Sequence, residues 1–152
     1  MSQKNDWWTS PTENEADGRT IIVTGRRDVD KFRDKGRYTI RVDLSYDYSD
    51  TECADGFPDD ATARTLEEVT DAFHAALKGK NAAIMTGIYT GAGMRTWVFY
   101  TFSTEVFTSF LNRALADLPL LPLRIYAEND PTWAEYCEMK EISEIEAPDA
   151  DE

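Results

Sequence analysis

Residues 81–131 read NAAIMTGIYTGAGMRTWVFYTFSTEVFTSFLNRALADLPLLPLRIYAENDP, and this stretch decides the fold. Ala82 to Thr90 is an apolar run carrying β-branched residues, the composition of a strand. Gly91-Ala92-Gly93 closes a hairpin by supplying the positive φ that a tight reversal needs. Arg95 to Phe102 is the return strand. Its Trp97, Val98, Phe99, Tyr100 and Phe102 place apolar groups on both faces, so the strand is central or covered on both sides. Ser103 or Thr104 caps a helix whose Val106, Phe107, Phe110, Leu111, Ala114 and Leu115 recur at helical spacing. Pro119 and Pro122 bound its end, and Leu123 to Tyr126 is a last strand.

Working back toward the N-terminus, Thr65-x-x-Glu68 matches a capping box ahead of the stripe Leu66, Val69, Phe73, Ala76 and Leu77, with Gly79 placed to stop that helix. In RYTIRVDLSYDY (37–48) apolar Tyr38, Ile40, Val42, Leu44, Tyr46 and Tyr48 alternate with polar neighbours, a half-buried strand. Asp28 to Gly36 is charged and reads as a turn or irregular connection, and Thr20 to Gly25 as a short additional strand. Beyond Tyr126, Asp130-Pro131 opens a helical segment with Trp133, Tyr136, Met139, Ile142 and Ile145 on its apolar side. The order strand, helix, strand, strand, helix, strand predicts an α+β fold. It is a ferredoxin-like split βαβ antiparallel sheet with helices on one face, an extra N-terminal strand and a C-terminal helical segment. Residues 1–18 read as a polar leader, 19–145 as one domain and 146–152 as a disordered acidic tail.

Composition narrows the function. With 41% hydrophobic residues the chain has a core to bury, and its net charge of -13 argues against nucleic-acid and anionic-membrane binding, both of which need a cationic face. The charge is uneven: residues 42–74 and 127–152 each balance to -9, whereas 19–41 balance to +5. Cys53 and Cys137 are far apart without metal-ligand spacing, so no disulfide framework, metal or cofactor is expected, and the thiols read as buried or incidental in a reducing cytoplasm. The acidic loop at 49–60 fails as a calcium loop, because Gly56 falls one place late and no Glu closes it. His74, the lone histidine, has no nucleophile beside it and reads as a boundary or surface residue. No apolar run approaches a membrane span.

The motif TGIYTGAGMRTWVFYT followed by ENDPTWAEY resembles the bacterial domain-of-unknown-function family 695. The resemblance rests on Gly87, Thr90 and Gly91 in the hairpin, the aromatic pair Phe99 and Tyr100, and Asp130, Pro131, Trp133 and Tyr136 in a late D-P-x-W-x-x-Y motif. A leader tryptophan and the GFPDD loop also fit, so the similarity spans nearly the whole chain. The family is similar in layout to the regulators of ribonuclease E activity, type B, which are ferredoxin-like inhibitors rather than enzymes. Each motif also has a structural reading: Asp130 caps a helix, and Trp133 and Tyr136, one turn apart, pin it to the sheet.

Function is then expected to be non-enzymatic binding of a basic protein, nuclease- or toxin-like, through acidic surface. The candidate contacts are Asp50, Glu52, Asp55, Asp59, Glu128, Asp130, Glu135, Glu138 and Glu141. One alternative is a small-molecule site or unrecognised enzyme on an open sheet face lined by Tyr38, Arg41, Asp43, Arg95 and Trp97. Another is a homodimer or larger self-assembly through that sheet.

Overall fold

The computed structural model describes residues 7–13, 18–27, 29–51, 53–78, 82–119 and 121–143. Six strands, β1 (Trp7–Glu13), β2 (Thr20–Arg26), β3 (Ile40–Asp47), β4 (Ala83–Gly91), β5 (Met94–Thr101) and β6 (Arg124–Asn129), form one sheet in the order β1-β2-β4-β5-β3-β6. Every neighbouring pair is antiparallel. Four helices complete the α+β architecture: α1 (Asp30–Asp34), α2 (Asp60–Leu77), α3 (Thr104–Ala114) and α4 (Ala134–Ser143). The crossover through α2 carries the chain from β3 to β4, and the crossover through α3 carries it from β5 to β6. Strand β5 is therefore enclosed between β3 and β4.

The hairpin between β4 and β5 is a two-residue turn in which Ala92 (φ 53°) and Gly93 (φ 81°) both have positive φ, the conformation that matches the right-handed twist of the flanking strands. On one face of the sheet α2 contributes Leu66, Val69 and Phe73, and α3 contributes Phe107, Phe110 and Leu111. They pack on Val42, Leu44, Met85, Trp97 and Phe99. Phe73 is the hub, edge-on to both Trp97 and Phe99 at 5.4 and 5.3 Å between ring centres. Trp97 is anchored by its Nε1 donating to Thr70 Oγ1 at 2.9 Å.

The two crossover helices α2 and α3 share one face, as expected, and the C-terminal helix covers the other. The opposite face carries its own buried cluster, with Tyr136 and Met139 of α4, Trp133, and Val29 just ahead of α1 on Val23, Ile84, Val98 and Tyr100. The both-face apolar pattern of β5 had already implied a second cover. Several local readings change. Trp7–Glu13, inside the polar leader, is an edge strand paired with β2, so there are two additional N-terminal strands rather than one. Residues 30–34 make a short helix in place of an irregular connection. Helix α2 begins at Asp60, because Asp59 already caps it by accepting from Thr62 N at 2.8 Å, and Thr65 lies a turn inside. Tyr38 precedes β3 and packs with the α4 cluster, off the alternation of that strand. Ile142 is exposed, not on the apolar side of α4. Both cysteines are free and exposed rather than buried. Gly79, Ile145 and the tail 146–152 lie outside the described residues.

Candidate functional site

The late motif holds α4 against the sheet. The Asp130 carboxylate accepts from Ala134 N (2.8 Å) and Glu135 N (3.2 Å), capping the helix across a turn at Pro131-Thr132, so the helix opens at Ala134 rather than at Asp130-Pro131. It also accepts from the Tyr100 hydroxyl at 2.7 Å. Trp133 takes a left-handed φ of 58°, unusual for a bulky residue. Two contacts hold it there: its ring stacks on Tyr100 at 4.3 Å, and its Nε1 donates to Tyr38 O at 2.7 Å. Tyr136 donates to Arg26 O at 2.5 Å. Gly87 has its own reason: a Cβ there would lie 2.7 Å from Met139 Sδ, so glycine lets α4 approach β4.

Beside this lock, carboxylates crowd around one guanidinium. Arg41 pairs with Asp43 at 3.2 Å, Glu128 at 3.5 Å and Asp130 at 4.0 Å, and its field also reaches Glu135. Burial pushes the Glu135 carboxyl up to about 7; a hydrogen bond from the Tyr89 hydroxyl opposes the rise and the charges of Asp43 and Asp130 reinforce it. Its other oxygen, Oε1, is buried with no hydrogen-bond partner among the described residues, which costs least when the carboxyl is protonated. Burial likewise raises Asp43, with Arg41 opposing and Glu128 and Asp130 adding to it. For Asp130 burial would raise the carboxyl, but the Tyr100 hydroxyl and the two capping N–H groups hold it below its ordinary value. The cluster thus carries more negative charge than Arg41 neutralises.

The cluster borders the free edge of β6. All six residues of that strand are exposed, including Ile125 (57%) and Tyr126 (53%). Asp130 N donates to Thr39 O at 2.7 Å, continuing the β3–β6 ladder by one pair. Because antiparallel ladders alternate, the backbone groups of Arg124, Tyr126 and Glu128 point toward β3, and those of Ile125, Ala127 and Asn129 point outward. Among the described residues nothing pairs with its outer side, so the strand presents a row of donors and acceptors flanked by apolar side chains and by Glu128.

The nine acidic candidates do not form one surface. Glu128, Asp130 and Glu135 converge on Arg41, although Asp130 and much of Glu135 are buried. Asp55 is turned back onto Phe57 N (3.0 Å) and Asp59 is a helix cap, so both have local structural work. Asp50 follows β3 in a single 3-10 turn, Glu138 and Glu141 lie on the exposed side of α4, and Glu52 is outside the described residues. The five proposed sheet-face residues separate too: Arg41 and Asp43 face the α4 side, whereas Trp97 is fully buried under α2. Tyr89 was missed because its partner Glu135 is forty-six residues away, and only the adjoining Asp130 motif hinted at a buried acid there. Among the described residues no group of three or more His, Cys, Asp or Glu is arranged to hold a metal ion.

An antiparallel sheet covered on both faces, with one exposed edge strand beside a charged cluster, defines an α+β domain. The chain belongs to a family of unknown function (DUF695), whose family model it matches over residues 6–139. That match takes in both N-terminal strands and most of α4. No curated protein and no solved structure matches the chain. No helix among the described residues is long and apolar enough to cross a membrane.

Proposed function

We propose that this protein is a non-enzymatic binding module that takes a strand of a basic partner protein along β6. One observation carries the reading: an edge strand exposed along its whole length, with Ile125 and Tyr126 on opposite faces, beside carboxylates that outnumber their cation. Edge strands left long and apolar invite pairing, and strand addition supplies affinity through the backbone and specificity through alternate side chains. A lysine or arginine from the incoming strand would sit against Asp43 and Glu128, supplying the charge that Arg41 alone does not. The net charge of -13 would steer such a partner in, and a nuclease or toxin domain is the kind of basic protein this surface suits.

The test compares wild type with Ala127→Pro and Glu128→Lys in affinity capture from nuclease-treated native lysate at low and moderate salt. Proline at 127 removes an outward N–H and leaves the β3 ladder intact, so the fold should survive, as circular dichroism would check. A basic protein retained by wild type, weakened by salt and lost from both variants is the expected result. Equal capture by Ala127→Pro, or no capture by wild type at either salt, would overturn strand addition at β6.

A further inference from the structure

A second site lies on the other face of the sheet, between α2 and the two N-terminal strands. The buried cluster under α2 and α3 draws its sheet residues from β3, β4 and β5. The β1–β2 hairpin extends the sheet beyond that helical layer. Where α2 stops covering the sheet, a cavity of about 400 Å³ opens over β2 and β4. This is within the range of small-ligand pockets.

Its walls differ in chemistry. Ile22 and Ile88 form an apolar floor, and the Trp7 indole stands at the β1 side, edge-on to His74 at 5.7 Å. Burial and the nearby Arg26 charge lower the His74 pKa, so its imidazole is neutral at pH 7 and adds to the aromatic wall. At the other end lies Arg95, whose side chain is only 13% exposed. Its Nε donates to Thr90 Oγ1 at 2.9 Å and its Nη1 to Thr70 Oγ1 at 3.4 Å. Thr70 is itself fixed, donating to Leu66 O and accepting from Trp97. Two hydroxyls thus set the plane of the guanidinium. Its one carboxylate partner among the described residues is Glu67, 3.7 Å away and 67% exposed, a weak counter-charge for a cation held this far from water.

An oriented guanidinium that is under-compensated, at the end of an apolar and aromatic slot, is the recognition chemistry for a planar anion with a hydrophobic body. We propose that this cavity binds a small organic monocarboxylate, its carboxylate against Arg95 and its apolar body between Trp7, Ile22 and Ile88. A single negative charge suits the Arg95 end of the cavity, where Glu67 at the rim disfavours a dianion such as a phosphate monoester. The site is independent of strand addition at β6, and either can fail without the other.

The experiment titrates the full chain with phenylacetate, indole-3-acetate and 4-methylpentanoate, and with phenylacetamide and phenyl phosphate as controls, reading thermal shift and 15N-resolved backbone and arginine Nε resonances. At least one carboxylate should raise Tm saturably and move the Arg95 Nε, Thr90 and Trp7 signals. Phenylacetamide and phenyl phosphate should bind at least about tenfold more weakly. Arg95→Lys keeps the charge but loses the fork, and should weaken the carboxylate about tenfold. Ile22→Trp, at a half-buried position in the cavity lining, fills the cavity while leaving Arg95 itself in the sequence, and should abolish binding while the fold persists. The proposal is overturned if no carboxylate binds below about 10 mM, if the amide binds as well as the acid, or if Ile22→Trp leaves binding unchanged.

Discussion

The two edges of the sheet are finished in opposite ways. At β1, Trp8 and Ser10 are buried beneath the end of α4: Trp8 Nε1 donates to Ser143 Oγ at 3.0 Å, and Ser10 Oγ donates to Ser143 O at 2.5 Å. Pro11 removes one N–H from the same strand, a common way to blunt an edge. At β6 neither device is present among the described residues. The strand has no proline, none of its residues is buried, and its side-chain ion pairs run back to β3 through Arg124–Asp47 and Glu128–Arg41. If β6 takes a partner strand as proposed, a fold that closes one edge with a helix and leaves the other bare separates stability from binding by position. Substitutions at the β1 edge should destabilise the fold, and substitutions at the β6 edge should leave it folded but unable to pair.

The largest effect is expected at the closed edge. Trp8→Ala removes a buried indole and the hydrogen bond to Ser143, and should cost about 3–5 kcal/mol in urea unfolding. A loss below about 1 kcal/mol would mean that α4 closes the edge without its aromatic anchor, and the contrast between edges would weaken. Asp130→Ala should come next, at about 2–3 kcal/mol, because it uncaps α4 and leaves the buried Tyr100 hydroxyl without its acceptor. Asp130→Asn, which still accepts at one oxygen, should lose less.

How much of this was legible in the sequence follows from which contacts are local. The β4–β5 hairpin, the capped α3 and the alternation of β3 were readable, because turn residues, caps and periodicity act within a few positions. Strand β1 was hidden, since WWTSPTE looks polar until Ser10 finds Ser143, 133 residues away. The second helical face was only implied by β5, because which face α4 covers depends on Gly87 and Trp133 meeting partners across the chain. The acidic candidates were read as a surface because charge is visible in sequence. Their division into caps, a buried cluster and exposed positions is tertiary. Arg95 was singled out, but its cavity depends on where α2 stops covering the sheet, which no local pattern records.

A smaller, pH-dependent effect probes the cluster between the bare edge and the lock. Glu135 has an ordinary pKa of 4.5 raised to about 7 in the folded state. The folded protein therefore holds a proton that the unfolded chain releases between those values. The contribution of Glu135 to stability therefore falls as pH rises through this window, and its cost is complete above pH 7. Asp43 shifts in the same direction and Asp130 in the opposite one, so wild type alone does not isolate the residue. The difference between wild type and Glu135→Gln does. The variant should be more stable by on the order of 2 kcal/mol at pH 8, and the gap should close toward pH 5. A gap independent of pH would show that Glu135 is ionised throughout and that the crowding around Arg41 is already balanced.

The smallest effect on stability belongs to the bare edge, and there the comparison is sharpest. Ile125→Thr and Tyr126→Thr replace exposed side chains by a residue that suits a strand equally well, so each should change unfolding free energy by less than about 0.5 kcal/mol. If β6 pairs with a partner, the same changes remove the apolar contacts on its two faces and should weaken capture together with Ala127→Pro. Stability loss above about 1 kcal/mol at either position would place β6 among the structural strands. Unchanged stability with unchanged capture would leave the exposed side chains without a role, and the outward backbone groups of Ile125, Ala127 and Asn129 would then carry the pairing alone. The side-chain and backbone contributions separate because their variants alter different atoms of one strand while the β3 ladder behind it stays intact.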